Sequence, residues 1–220
     1  MFTGIVQAKS TVTALTTHPF GVRLTVSREP LTLTATPALG DSICVSGVCL
    51  TVAQVTDTTF EFDVIAQTLS LTTLGRLAVG DPINLEPAVT PQQPLGGHFM
   101  QGHVDGIATV TEVHSSDDQW RTTFKPAAGL MDYIIPQGSI AVDGVSLTLA
   151  QVTDETFTVA LIPTTLEQTT LGNRKVGDVV NLEADILSKT VVHALRRQTG
   201  KCESSVTMEL LGDAGFGVDS

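Results

Sequence analysis

Two residues stand where chemistry could be done, Cys49 and Ser146, and they occupy one slot of a decapeptide that the chain writes twice. Ser42-Ile43-Cys44-Val45-Ser46-Gly47-Val48-Cys49-Leu50-Thr51 returns 97 residues later as Ser139-Ile140-Ala141-Val142-Asp143-Gly144-Val145-Ser146-Leu147-Thr148. Carried without a gap from Ser42 to Glu86, that register holds 27 identities in 45 positions. Identity this dense at one offset is an internal duplication. Its period is about a domain long, which means two copies of a small domain rather than a solenoid. The disagreements carry information: Cys49 faces Ser146 and Ser46 faces Asp143. A thiol and a hydroxyl act as nucleophile or proton carrier once a base is beside them.

The elements that must position these groups are strands. Val48, Leu50 and Val52 alternate with Cys49, Thr51 and Ala53, and Val145, Leu147 and Leu149 alternate with Ser146, Thr148 and Ala150. Period-2 alternation puts the aliphatic set on one face and the small set on the other. A solvent face would carry long polar side chains. The Cys/Thr and Ser/Thr rows therefore either meet something that wants short hydrogen-bonding groups or make room for a neighbouring layer. Taken alone, Cys49 reads as a small buried hydrophobe and Ser146 as an ordinary strand serine. Asp143 precedes Gly144, as a turn-former or as a functional carboxylate. His98 and His103 are an odd number of residues apart in a glycine-rich extended stretch, so they point to opposite faces and a shared metal is not expected. No GxGxxG or GxxxxGK[ST] loop occurs, and there is neither a nucleophile elbow nor an Asp-His-Ser order.

Composition narrows the classes. With 220 residues, 42% of them hydrophobic, each copy can bury its own core. A net charge of -11 argues against nucleic acid, whose binding rests on Lys and Arg at phosphates. Cys44, Cys49 and Cys202 are odd in number and form no CxxC, so neither a disulfide framework nor structural zinc is implied. No basic-then-apolar leader and no bilayer-length apolar run is visible, and a reducing cytoplasm is the expected location, without membrane contact.

Along the chain, Met1 to Gln7 looks strand-like, Thr11 to Thr16 continues in β-formers, and His18-Pro19 interrupts. Val22 to Val26 alternates, Thr56 to Thr59 reads as a hairpin turn into Phe60 to Val64, and Val79-Gly80-Asp81 turns into Ile83 to Glu86. Thr68 to Gly75 and its repeat, Thr164 to Gly172, predict a short helix ended by glycine. Several short strands with one plugging helix make a small barrel. Pro87 to Leu95 holds three prolines and reads as a linker. Gly102 and Val104 match Gly4 and Val6 after one inserted residue, with His103 in place of Ile5. The resulting organisation is an N-terminal domain over 1–95, a C-terminal domain over 96–185, a helix over 186–200 and a mobile tail over 201–220. Leu187, Val191, Val192 and Leu195 give that helix an apolar face, for oligomerisation or for packing on its own subunit.

Five separated stretches resemble riboflavin synthase of the alpha-chain type. They are Met1-Phe2-Thr3-Gly4-Ile5-Val6; Gly47 to Thr51; Gly96-Gly97-His98 with Gln101 to Gly106; Asp143 to Thr148; and Ile162 to Gly172. The resemblance runs in register from residue 1 to about 197. It implies an all-β fold, two tandem six-stranded Greek-key barrels with short helical segments and a C-terminal α-helix through which three subunits associate. It implies a transferase in which two 6,7-dimethyl-8-ribityllumazine molecules dismutate. One gives a four-carbon unit to the other, yielding riboflavin and 5-amino-6-ribitylaminouracil, with no metal or cofactor. The partners implied are the substrate, two further copies of the chain and lumazine synthase. A non-catalytic lumazine or flavin antenna protein of the same fold is the alternative.

By matching position, one lumazine is expected to touch Gly4, Ile5, Val6, Cys49, Leu50, Thr51 and the segment Asp63, Val64, Ile65, Ala66, Gln67, Thr68. The other is expected to touch Gly102, His103, Val104, Ser146, Leu147, Thr148 and the segment Ala160, Leu161, Ile162, Pro163, Thr164, Thr165. Ser42 and Gln137 complete the binding set. For the reaction so implied, the acid and base are expected to be His103 and Ser146, with Cys49 and Thr51 as nucleophile, water-positioning or polarising groups, and Thr148 and Asp143 complete the catalytic set. Two departures stand out: Gln137 occupies a place where the family usually has lysine, and Gln67 one where an acidic residue is common.

Overall fold

The computed structural model describes residues 1–29, 37–116 and 119–202. The duplication folds as two closed antiparallel barrels. The first is built from β1 (Ala8–His18), β2 (Gly21–Ser27), β3 (Ser42–Val45), β4 (Val48–Val55), β5 (Thr59–Ile65) and, after the short helix α1 (Ala66–Leu71), β6 (Pro82–Pro87). Its spatial order is β1-β2-β5-β4-β3-β6. The second repeats this with β7 (Gly106–Ser116), β8 (Gln119–Pro126), β9 (Ser139–Val142), β10 (Val145–Val152), β11 (Phe157–Leu161), the helix α2 (Pro163–Gln168) and β12 (Val179–Ala184). Both barrels belong to one compact unit, Met1–Asp185. The α-helix α3 (Ile186–Cys202) lies in a separate unit. The tail expected to be mobile falls, from residue 203 on, outside the described residues.

The alternation at β4 and β10 fills the barrels as the sequence requires. Val48, Leu50 and Val52 join Phe60, Phe62, Ile83 and Leu85 in the first core, and Val145, Leu147 and Leu149 join Phe124, Phe157, Val180 and Leu182 in the second. Each such side chain contributes about 1.5–3 kcal/mol when fully buried. The same bulge recurs in both copies, between Val52 and Gln54 and between Leu149 and Gln151, and gives the extra bend that closes a small barrel. The predicted single helix is in fact two pieces. α1 runs into a 3-10 turn, Thr73–Arg76, and α2 into another, Thr170–Asn173, because the Thr72 and Thr169 hydroxyls accept from Leu74 and Leu171 N–H and restart the chain there.

Met1 to Gln7 is not a strand of the first barrel. Phe2 pairs with Met100 instead, through hydrogen bonds of 2.8 and 3.1 Å. Each opening segment leaves its own half and lies on the other: Val6 packs on the core of the second barrel and Val104 on that of the first. Phe2, Cys44, Met100 and Ala141 form a small buried cluster between the barrels. Polar side chains are exchanged as reciprocally. Asn84 Nδ2 donates to the Asp143 carbonyl and Asn181 Nδ2 to the Ser46 carbonyl, while their amide oxygens accept from Thr170 and Thr73 N–H. Among the described residues no helix is long and apolar enough to cross a membrane.

Candidate functional site

Cys49 lies on β4, half-buried, with its N–H donating to the Gly102 carbonyl at 2.8 Å. Ser146 holds the equivalent place on β10, with its N–H donating to the Gly4 carbonyl at 2.9 Å. Each glycine is held there by a buried carboxylate. Glu86 accepts from Thr3 N–H, Thr3 hydroxyl and Gly4 N–H at 2.7, 2.7 and 2.9 Å. Glu183 accepts from Gln101, Gly102 and His103 N–H at 2.7, 2.9 and 3.1 Å. Burial raises the Glu86 pKa from its ordinary value, and these donors offset part of the shift.

The exchange regroups the residues expected to line two pockets. Gly4, Ile5 and Val6 stand with Ser146 rather than with Cys49, and Gly102, His103 and Val104 stand with Cys49 rather than with Ser146. Identical spacing in the two copies could not reveal this, because a segment that crosses to the other barrel has the same sequence as one that stays. Val52 lies opposite Phe62 and Leu149 opposite Val159, so the C-terminal ends of β5 and β11 arrive beside Cys49 and Ser146. They bring Ile65, Ala66 and Gln67 to the first site and Ile162, Pro163 and Thr164 to the second, all exposed, with Thr68 and Thr165 half-buried. Thr51 and Thr148 are exposed on the same strand faces, opposite half-buried Ser42 and Ser139 in the ladders.

Other expected contacts are corrected by burial. Leu50, Val64, Leu147 and Leu161 point into the barrel cores, since period 2 sends them there, and offer only backbone to a ligand. Asp143 is fully buried at the seam. Its Oδ1 accepts from Asn181 N–H at 2.8 Å and its Oδ2 from Arg174 Nη2 at 2.7 Å. Ser46 Oγ accepts from Asn84 N–H in the same manner, so the Ser46/Asp143 difference belongs to the turns and not to the Ser146 site. Both turns have positive φ at their two central residues, as two-residue hairpins require. Asp63 is exposed and paired bidentately with Arg23, which pulls its pKa down. Ala160 is exposed, as is Gln137, which has a φ of 61°.

His98 is the residue that the spacing of the sequence left out of the site. Its Nδ1 is 2.7 Å from Ser146 Oγ, and it is 8% exposed. Burial lowers its pKa from 6.5, opposed by the negative charge of Asp185. Nδ1 and the Ser146 hydroxyl share this hydrogen bond, its direction set by which ring nitrogen carries the proton, and Nε2 is buried with no hydrogen-bond partner. Gly97 is pressed between the Thr3 carbonyl and Ser146, which fixes the histidine. The signal was present in Gly96-Gly97-His98, but sequence spacing placed that histidine on no particular strand. His103, expected to work with Ser146, is exposed on the Cys49 side. A cleft of about 300 Å³ opens beside Ile5 and Gly96, and Thr3, Glu86 and Thr90 also line it.

The lumazine binding domain family matches residues 3–88 and 101–185. Riboflavin synthase of Actinobacillus pleuropneumoniae is 37% identical over 217 residues, covering 98% of this chain and all of that protein. The chain belongs to the riboflavin synthase family. Riboflavin synthase of Mycobacterium bovis is 43% identical over 200 residues, 89% of this chain and 98% of that one. The fold is also that of LumP complexed with 6,7-dimethyl-8-(1'-D-ribityl) lumazine, with a TM-score of 0.75 and 25% identity over 84% of this chain and 99% of that chain. LumP complexed with riboflavin gives a TM-score of 0.74 at 28% identity, over the same shares.

Proposed function

We propose that the protein catalyses the riboflavin synthase reaction, with one lumazine at the Cys49 site and the other at the Ser146 site. The observation that carries this is the pair of composite walls, Cys49/Thr51 under the Gly102–Val104 segment and Ser146/Thr148 under the Gly4–Val6 segment. Two like substrates suit two like sites. A ribityl chain offers hydroxyls and no phosphate, which suits Ser42, Thr51 and Thr148 and the lack of a phosphate loop. Ile5, Ile65 and Ile162 are exposed apolar side chains fit to lie on a heteroaromatic ring.

The reaction needs a proton taken from an activated ring methyl and a nucleophile added at the ring carbon beside it. Ser146 with His98 forms a hydroxyl-imidazole pair able to take and return a proton. Cys49, Thr51 and His103 supply a thiol, a hydroxyl and an imidazole at the other site. The two sites are thus chemically unlike, as donor and acceptor roles demand. Holding two rings together contributes the proximity effect. In this reading the outward stripe of α3 (Leu187, Val191 and Leu195, each more than half exposed) joins three copies, so that unlike sites of neighbouring copies face each other.

Full-length identity to synthases of 37% and 43% against 25% and 28% to LumP, together with the retained Cys49-Leu50-Thr51 and Gly96-Gly97-His98, favours turnover over carriage. Incubation with 6,7-dimethyl-8-ribityllumazine should yield riboflavin absorbance with no added metal or cofactor. Tight binding with no product would make the protein a carrier.

A further inference from the structure

Cys44 and Cys49 stand directly opposite each other in the β3–β4 ladder. The two-residue turn Ser46-Gly47 makes Val45 and Val48 the hydrogen-bonded pair, so Cys44 and Cys49 form the next, non-hydrogen-bonded pair. The Cys49 N–H agrees, since it is engaged by the Gly102 carbonyl on the other side of the strand. In such a pair the Cα atoms are about 4.5 Å apart with both side chains on one face, within the span a disulfide bridges. Both thiols are free, and Cys49 packs on the Phe2, Cys44, Met100, Ala141 cluster. The second barrel has Ala141 and Ser146 in these two slots, so only the first carries the pair.

We propose that Cys44 and Cys49 are a reversible oxidation site, closing to a cross-strand disulfide that silences the first barrel when a peroxide is present. Cys49, half-buried, meets the oxidant first, whereas burial holds the Cys44 thiol protonated and out of reach. The Cys49 sulfur attacks the peroxide, forming a sulfenic acid and releasing water. The Cys44 sulfur then displaces the sulfenic hydroxyl, which leaves as water with the Cys44 proton. Two thiols lose two electrons and one hydrogen peroxide becomes two waters. The bridge consumes the thiol that the first site offers its substrate, and it keeps Cys49 from irreversible oxidation.

The trypsin fragment 29–76 contains both cysteines, no internal Lys or Arg, and not Cys202. Reduced full-length protein is treated with hydrogen peroxide, its remaining thiols are alkylated, and the fragment is weighed. The expected fragment is two hydrogens lighter, carries no alkyl group, and takes up two after dithiothreitol. A fragment with both cysteines alkylated, or with oxygens on Cys49 and an alkylated Cys44, overturns the proposal. Turnover of the lumazine should fall at least about tenfold on oxidation and return on reduction. A bridge formed with unchanged turnover overturns the silencing. Cys44→Ala, which copies Ala141 of the second barrel, and Cys44→Ser as a second variant keep basal turnover, but excess peroxide carries their Cys49 past the sulfenic to the sulfinic acid, and dithiothreitol does not reverse that loss. The activity readout rests on the proposed function, and the mass readout does not.

Discussion

His98 shows how one contact sets a strand serine apart from its neighbours. With Nδ1 on Ser146 Oγ and burial lowering its pKa, the ring stays neutral over the range in which it can accept a proton. Because the folded pKa lies below the unfolded value, the histidine's contribution to stability is complete above pH 6.5 and is lost as pH falls through the lowered folded value. His98→Gln should therefore flatten the dependence of melting temperature on pH below 6.5. It should also cut turnover by about 10²-fold and remove the acidic limb of the rate profile. An unchanged profile in the variant would leave Ser146 acting without this partner. Cys49→Ala tests the other site. Its half-buried side chain should cost no more than about 1 kcal/mol on thermal unfolding, while turnover falls by about 10²-fold or more. A large loss of stability with near-normal turnover would make it a packing residue.

The element that decides the sites is the exchanged opening segment, held by a glycine at each crossing. Gly102 has a φ of +75°, and a Cβ there would stand 2.6 Å from Cys49 Cβ and 2.7 Å from its backbone nitrogen. Gly80 has a φ of +98° with nothing within 4 Å of an added Cβ. Gly80→Ala should thus cost only the left-handed strain, about 1–2 kcal/mol, while Gly102→Ala should add a backbone collision of about 1–3 kcal/mol. Chemical denaturation of the two variants measures the difference. Equal midpoints would show that the segment is free to move off β4. The same elements explain what spacing left open. The wall of small residues was legible as alternation at Cys49 and Thr51. The partner of that wall was not, since only hydrogen bonds such as Cys49 N–H to Gly102 O reveal which half covers it.

At the scale of the whole chain, the two barrels have cores that complete each other through Val6 and Val104, and a seam of reciprocal Asn84 and Asn181 bonds. Calorimetry of a fragment ending at Ala184 should show one cooperative transition, and two resolved transitions would mean that the barrels stand alone. The same truncation should yield monomers with little synthase activity, measured by sedimentation and riboflavin formation. An active truncated monomer would contradict a site shared between copies.

Sequence alone determined the duplication, the alternation and buried faces of β4 and β10, and the slots of Cys49 and Ser146. Dense identity at one offset and period-2 alternation are local quantities, written along the chain and readable there. Tertiary structure decided which segment covers which barrel, that His98 and not His103 meets Ser146, and that the Asp143 carboxylate is held by Arg174 and Asn181. Most of these contacts join residues far apart in the chain, where identical copies offer equivalent partners. Three-dimensional packing, within one copy for His98 and Asp143 and across the seam for the opening segments, selects among them.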